Sequence, residues 1–192
     1  MEILRCERLT NPCRSIYGKA ATGKKTQPDT VSFPTPAVSS EAVLSEWYDA
    51  YGTEVLRYCF MFLGNKSDAE DATQETFLKA WRSIGRFEAR NGCSPKTWII
   101  RIAGNTCRDY LKRGWHRHES SLITPEDLQK LGNAPAEDRE LIIDVMNLPE
   151  KYRQVVLLVY WNGMTIRETA RCMHTSESTV FRRLEKAKEM IA

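Results

Sequence analysis

The chain has 192 residues, of which 42% are hydrophobic and 28% charged, and its formal net charge at pH 7 is +3. This length allows one large domain or two small ones, and the hydrophobic content is enough for packed cores. Mean hydropathy is −0.47, and no run approaches the roughly 18 apolar residues of a spanning helix, which argues against stable membrane insertion. The N-terminus lacks the apolar stretch of a secretory signal, so we expect a cytoplasmic protein.

Cysteine and histidine positions give no pattern of a catalytic or metal site. The cysteines are scattered without a CxxC pair, at Cys6, Cys13, Cys59, Cys93, Cys107 and Cys172. Without an export signal we expect reduced thiols, several of them core residues, although Cys6 and Cys13 leave a redox or metal pair open. The chain also has no zinc-ligand spacing, no glycine-rich phosphate loop and no nucleophile elbow. We therefore expect no enzyme, no metal and no cofactor.

Composition divides the chain into four segments. Residues 1–40 contain four prolines and many Ser and Thr without a sustained period, which predicts a mostly disordered tail. Residues 41–115 and 138–192 are helical in pattern, and the polar stretch 116–137 predicts a flexible linker. No strand-like alternation persists, so the predicted fold is all-α, with two small helical domains joined by that linker.

Charge is distributed unevenly along the chain. The first 40 residues hold six Lys and Arg against three acids, whereas residues 41–192 balance at 22 against 22. Any affinity for nucleic acid must therefore come from local clusters. One cluster spans residues 101–118, which hold five Lys and Arg against the single acid Asp109.

The first predicted helix runs from near Glu41 to Gly64, a residue type that commonly ends helices in the left-handed conformation. Gly52 either breaks this helix or weakens it by roughly 1 kcal/mol. Its apolar side chains fall mainly on one side: Leu44, Trp47, Tyr48, Tyr51, Val55, Leu56, Cys59 and Phe62.

Capping signals predict two further helices in this block. A capping-box pattern from Ser67 to Glu70 opens a helix through Arg82. Ser94 as N-cap, followed by Pro95 at the first helical position, opens another that extends to about residue 113. We expect the latter helix to turn three apolar residues inward: Trp98, Ile102 and Leu111.

Residues 163–184 have the pattern of a helix-turn-helix. Thr165 is a plausible N-cap with Glu168 three residues on, and an apolar stripe follows at Ile166, Ala170 and Met173. Ser176 can cap a second helix, whose apolar positions are Val180, Leu184, Ala187 and Ile191. Two short helices joined by a tight turn are typical of DNA readers that place the second helix in the major groove. Taken alone, the stretch also fits a surface hairpin with a solvated charged face.

Three motifs in this order resemble a known family. DAEDATQETFLKAWRSIGRFE (68–88) and SPKTWIIRIAGNTCRDYLKR (94–113) resemble the core-binding and −10-reading regions of bacterial RNA polymerase sigma factors of the sigma-70 family. LPEKYRQVVLLVYWNGMTIRETARCMHTSESTVFRRLEKAK (148–188) resembles their −35-reading domain. The two-domain layout is similar to the extracytoplasmic-function group, and the resemblance covers about residues 41–192.

The resemblance implies that the helix at 68–82 docks on the clamp helices of the largest core RNA polymerase subunit. An acidic first turn followed by large apolar side chains suits a basic, partly apolar groove. The residues expected to bind polymerase are Asp71, Gln74, Glu75, Phe77, Leu78 and Trp81. The alternative is that Phe77, Leu78 and Trp81 are core residues and that the acids only favour the positive end of the helix dipole at the N-terminus. Core packing is weighed above all for Phe77 and Trp81.

The resemblance further implies that the helix at 95–113 opens the promoter and that the loop before it holds a flipped base of the −10 element. Capturing an unstacked base stabilises melted DNA without ATP. Asn can read a base edge, whereas Arg and Lys mainly hold phosphates. The expected −10 residues are Arg90, Asn91, Arg101, Asn105, Arg108, Asp109, Lys112 and Arg113. The family usually has a basic residue where Gly104 stands, so we expect one phosphate contact to be missing.

For the −35 element, the resemblance implies recognition by the second helix of the helix-turn-helix. The expected residues are Ser176, Glu177, Ser178, Thr179, Arg182, Arg183 and Lys186. The expected partners are core RNA polymerase, promoter DNA as −35 duplex and melted −10 strand, and an anti-sigma factor. A helix-turn-helix regulator that binds duplex DNA alone is the main alternative, and a polymerase-binding decoy is a third.

Overall fold

The computed structural model describes residues 40–87, 94–113 and 136–191. These residues fall into two compact units, one holding 40–113 and the other 136–191. Every regular element in the described ranges is helical, which confirms the predicted all-α fold. Apart from Ser40, which begins a helix, the tail lies outside the described residues, and so does the linker except for its last two residues, which are helical.

The first unit is built from three helices that all pack on one another. They are α1 (Ser40–Leu63), α2 (Lys66–Ser83), which continues into a 3₁₀ turn (Ile84–Arg86), and α3 (Pro95–Arg113). The helix α1 continues through Gly52, so this glycine does not break it. Gly64 ends α1 with a φ of 76°, and its backbone N–H donates to the carbonyl of Phe60 at 2.8 Å.

Local hydrogen bonds explain where these helices begin. The N-cap of α2 is Asn65, whose side-chain oxygen accepts from the Asp68 backbone N–H at 3.2 Å. The predicted cap at Ser67 is therefore wrong, because Asn65 caps at least as well and lies next to the chain reversal at Gly64. The predicted cap of α3 is confirmed, since the Thr97 backbone N–H donates to Ser94 Oγ at 3.1 Å.

The core of the first unit consists mainly of aromatic and β-branched side chains. Its fully buried members include Trp47, Val55, Tyr58, Phe62, Ile99 and Ile100. Tyr48 was expected on the inner side of α1 but is 53% exposed, because it follows Trp47 and lies about 100° further around the helix. Of the α3 residues expected to face inward, Trp98 is buried, while Ile102 and Leu111 are half-buried.

The second unit contains four helices. They are α4 (Ala136–Asn147), α5 (Glu150–Val156) with a π-helical extension (Leu157–Trp161), α6 (Ile166–Cys172) and α7 (Glu177–Ile191). The extension ends where Leu157 O accepts from both the backbone N–H and the side-chain amide of Asn162, at 3.0 and 2.9 Å. Gly163, with a φ of 67°, then redirects the chain toward α6.

The predicted helix-turn-helix is present in this unit. The Thr165–Glu168 capping box opens α6, and the Thr179 backbone N–H donates to Ser176 Oγ at 3.3 Å at the start of α7. His174 makes the turn between α6 and α7 with a φ of 50°. The predicted inner stripe of α7 is buried throughout: Val180, Leu184, Ala187 and Ile191.

Cys59, Cys107 and Cys172 are buried free thiols, as expected for core residues. The hydrogen bond with Cys59 and burial both raise the pKa of the Cys107 thiol. In the ranges given above, no helix combines the length and hydropathy needed to cross a membrane.

Candidate functional site

The outer face of α2 combines polar and large apolar side chains. Asp71, Gln74, Leu78 and Trp81 are all exposed, and their spacing places them within one stripe of the helix. Leu78 is 50% exposed and Trp81 43%. The structure therefore brings four of the six predicted polymerase-binding residues to one solvent-facing surface, which we call the α2 stripe.

Phe77 does not belong to this surface. It is only 5% exposed, and its ring packs edge-on against Tyr48 of α1 with centroids 4.9 Å apart. The prediction that Phe77 binds polymerase is therefore corrected: its position on α2 faces α1, and it is a core residue. The exposed aromatic beside it is Tyr48, which the sequence analysis placed in the core.

An ion-pair network joins α2 to α3 and engages three of the predicted site residues. Glu75 accepts from Lys79 at 2.9 Å and lies 3.6 Å from Arg113. Lys79 is also 3.6 Å from Asp109 and donates to the buried Thr106 hydroxyl at 3.1 Å. Glu75 of α2 thus pairs with Arg113 of α3, and Asp109 of α3 pairs with Lys79 of α2, which sequence spacing alone could not reveal. Their predicted roles in binding polymerase and −10 DNA stay predictions.

The other predicted −10 residues of α3 form a separate line along the helix. Arg101, Asn105, Arg108 and Lys112 recur at i, i+4, i+7 and i+11 and lie on one face of the helix, which we call the α3 stripe. An Arg108 Nη2 donates to Asn105 Oδ1, which leaves the Asn105 amide nitrogen as a donor. This stripe combines three cations for phosphates with one amide that can pair with a base edge.

Gly104 is buried, although it lies three residues after Arg101 and four before Arg108 and therefore borders this stripe. The expectation that its lack of a basic side chain removes one phosphate contact stays a prediction.

The residues on either side of the segment that precedes α3 are held in place, one by aromatic packing and the other by a helix cap. Trp47, Phe87 and Trp98 form a cluster with centroid separations of 5.2, 5.9 and 5.2 Å. Phe87 stands at one end of the segment, and the Ser94 cap stands at the other. The predicted −10 residues Arg90 and Asn91 lie between them, outside the described residues.

In α7 the predicted −35 residues divide by exposure. Glu177, Ser178, Arg182 and Lys186 are exposed, whereas Thr179 and Arg183 are half-buried. Ser176 Oγ lies 2.8 Å from the Thr179 hydroxyl and 3.0 Å from that of Ser178, so its first role is to cap the helix. The hydrogen bond to Glu189 at 2.8 Å raises the pKa of Lys186, which stays exposed and charged.

Two exposed apolar residues of α7 were missed, Phe181 and Met190. Phe181 is 57% exposed, yet the sequence analysis considered only polar positions on this helix. The signal was available, because Phe181 falls outside the apolar stripe that contains Val180 and Leu184.

Comparison with known proteins assigns each unit to a family. Residues 47–117 match Sigma-70 region 2, and residues 145–191 match Sigma-70, region 4. These two ranges contain the α2, α3 and α7 surfaces described above.

Relatives match across both regions. The chain is 34% identical over 145 residues to the ECF RNA polymerase sigma factor BldN of Streptomyces coelicolor, covering 69% of this chain but only 53% of BldN. It is 30% identical over 142 residues to the ECF RNA polymerase sigma-E factor of Haemophilus influenzae, covering 66% of this chain and 74% of that protein. With SigM of Bacillus subtilis the identity is 28% over 160 residues, covering 77% and 94%.

Two solved structures share the fold. The sigma factor RpoE in complex with the anti-sigma factor NepR, from Bartonella quintana, has a TM-score of 0.63 at 20% identity, covering 77% of this chain and 92% of that one. CnrH in complex with the cytosolic domain of CnrY has a TM-score of 0.59 at 22% identity, covering 79% and 86%. The chain belongs to the sigma-70 family of RNA polymerase sigma factors and, within it, to the ECF group.

Proposed function

We propose that this promoter-recognising sigma factor divides its work among three helices: α2 docks on core RNA polymerase, α3 holds the melted −10 strand, and α7 reads the −35 duplex. The observation that carries this division is the α3 stripe of Arg101, Asn105, Arg108 and Lys112. A regulator that binds only duplex DNA needs the helix-turn-helix. It has no use for the α3 stripe, nor for the exposed apolar side chains of the α2 stripe.

The α2 stripe supports docking on a protein partner. Leu78 and Trp81 expose about half of their surface, and Trp is among the residue types that anchor protein interfaces. Asp71 and Gln74 lie on the same face and provide a charge and an amide at its rim. This combination suits a partner groove that is basic and partly apolar.

The α3 stripe supports single-strand binding. Its three cations can hold consecutive phosphates while Asn105 pairs with one base. Arg90 and Asn91, which precede this helix, are proposed to contribute to the pocket for an extruded base. Because binding to the melted strand supplies the free energy for opening, this scheme needs no catalytic step by the sigma factor itself.

In α7, Arg182 and Ser178 lie at the centre of the solvent-facing side, and Arg183 and Lys186 lie to one flank. Side chains at the centre can reach base edges, and cations on the flank can reach phosphates. We further propose an anti-sigma partner, since RpoE is described in complex with the anti-sigma factor NepR. The site of action is proposed to be the cytoplasm, where polymerase and DNA are found.

The test compares the free chain with its complex with core polymerase on promoter DNA. We expect the free chain to bind promoter duplex weakly and core polymerase tightly, with specific transcription only from the complex. Replacing both Leu78 and Trp81 by Ala should weaken core binding by 10- to 100-fold, the scale of interface anchors. Met190→Ala is the matched control, because Met190 is an equally exposed apolar residue of the other unit (49%). Tight and specific promoter binding by the free chain would favour the stand-alone regulator instead.

A further inference from the structure

Phe181 is the most exposed large apolar side chain in the part of the chain that the structure describes. It is 57% exposed, although it directly follows Val180, which is fully buried. The core positions of α7 are already filled by the stripe that Val180 begins. Phe181 lies outside that stripe and leaves more than half of its surface to solvent.

Exposing the Phe181 ring on the helix surface costs stability. Phe181, which is 57% exposed, forgoes about half of the roughly 1.5–3 kcal/mol that its full burial would contribute. Phe is also a poorer helix former than Lys, Glu or Gln, which are the common choices at such positions. A bound partner that covers the ring would recover the lost burial.

The charges around α7 indicate which part of the DNA this ring meets. Glu177 and Glu185 lie four residues before and after Phe181 and share its flank of the helix with Lys188, which lies 2.8 Å from Glu185. Arg183 and Lys186 lie on the opposite flank, where Lys186 lies 2.8 Å from Glu189. Within each of these two ion pairs the charges offset each other, so the difference between the flanks comes from Glu177 on the Phe181 side and Arg183 on the other. Phosphates favour the Arg183 flank, and the Phe181 flank suits the floor of the groove rather than the sugar-phosphate backbone.

The major groove offers little apolar surface to such a ring. Base edges present donors and acceptors there, and the exception is the C5-methyl group of thymine. Phe181 is the fifth residue of α7, within the N-terminal part of a recognition helix that reaches the bases. Ser178 and Arg182, on either side of it, can hydrogen-bond with neighbouring base edges.

We propose that Phe181 packs against the C5-methyl group of one thymine in the −35 element and makes that thymine a specificity determinant. This inference rests on the proposed role of α7 in reading −35 DNA. It deepens that role by naming the base and the chemical group that are read.

The test removes the methyl group from the DNA and the ring from the protein. The preferred −35 element is first selected with core polymerase carrying the wild-type chain, and each thymine is then replaced singly by deoxyuridine. We expect one replacement to weaken binding about fourfold, the effect of one buried methyl group. Phe181→Ala should weaken binding to the thymine promoter and show no further loss with deoxyuridine at that position. Phe181→Leu should keep part of the discrimination, and Met190→Ala should behave as wild type.

Three results would overturn the proposal. They are a selected element without thymine in the −35 region, a wild-type complex indifferent to every deoxyuridine, and a Phe181→Ala variant that keeps the full deoxyuridine effect. The deoxyuridine series with the wild-type chain needs no variant to fold. If the wild-type complex shows no −35 dependence at all, the role proposed for α7 itself is wrong, which is a distinguishable outcome.

Discussion

The network between α2 and α3 predicts that Glu75 and Asp71, two acids of the same helix, respond differently to charge reversal. Glu75 is held between Lys79 at 2.9 Å and Arg113 at 3.6 Å, and its side chain is 27% exposed. Asp71 lies one turn earlier and is exposed to solvent. We expect Glu75→Lys to act on the stability of the first unit and Asp71→Lys to act on the affinity for polymerase.

The size of the stability effect follows from the geometry. Each partly exposed ion pair contributes about 0.2–1 kcal/mol, so Glu75→Gln should cost about 0.5–1.5 kcal/mol. A lysine at position 75 adds repulsion from two cations within about 4 Å, each worth up to about 4 kcal/mol at an effective dielectric constant of 20. Because the side chains can move apart, we expect Glu75→Lys to cost about 2–3 kcal/mol in total. Asp71→Lys, at an exposed position, should stay within about 0.5 kcal/mol.

Urea unfolding followed by tryptophan fluorescence measures the stability, and fluorescence anisotropy of a labelled chain measures core polymerase binding. The expected result is a lower unfolding midpoint for Glu75→Lys alone and a weaker polymerase complex for Asp71→Lys with an unchanged midpoint. If both variants unfold at the wild-type urea concentration, the network contributes no stability, and Glu75 is again a candidate for binding polymerase.

Three further predictions concern the DNA-binding surfaces and the turn. Asn105→Ala should reduce open-complex formation more than initial promoter binding, and a pre-melted −10 bubble should restore part of the loss; no rescue would contradict the melting role of α3. Arg182→Ala should cost about 1–3 kcal/mol at one −35 position, whereas Arg183→Ala should weaken binding to all sequences and lower the salt slope by about one, both measured by titration at several salt concentrations. His174→Gly should raise the melting temperature of the second unit by about 2–6 °C, because φ is 50° there and glycine adopts it without strain; an unchanged or lower melting temperature would show that His174 makes compensating contacts.

The helices could be predicted well because their signals are local. Capping residues act within four positions, and the apolar stripe of α7 needs only the 3.6-residue period to be recognised. The error at the start of α2 has the same origin, since Asn65 and Ser67 are both good caps and only the chain reversal at Gly64 favours the former. The loop before α3 and the linker after it have no periodic sequence pattern. The base pocket predicted for the loop and the flexibility predicted for the linker therefore stay predictions.

The functional surfaces could be predicted only in part, because partners on other helices decide which polar side chains remain free. The spacing of Glu75 matches that of Asp71, yet Lys79 and Arg113 engage the first and not the second. No periodicity within α2 carries this information, since Arg113 is 38 positions away in the sequence. The α3 surface was predicted to the same extent: Arg101, Asn105, Arg108 and Lys112 share one face of the helix, whereas Asp109 and Arg113 form ion pairs with α2.

Exposed apolar residues were the most systematic omission, and the reason is physical. An apolar side chain is assigned to the core by default, since burial is its usual fate. This assignment can be corrected once several core residues of a helix show which of its faces points inward. Val180, Leu184 and Ala187 fix it for α7, and Phe181 then lies about 100° away from Val180. The same reasoning applied to Trp47 places Tyr48 off the inner line of α1. Tyr48 still packs its ring against Phe77, whereas Phe181 stands on the helix that is proposed to read DNA, so Phe181 is the stronger candidate for a contact with another molecule.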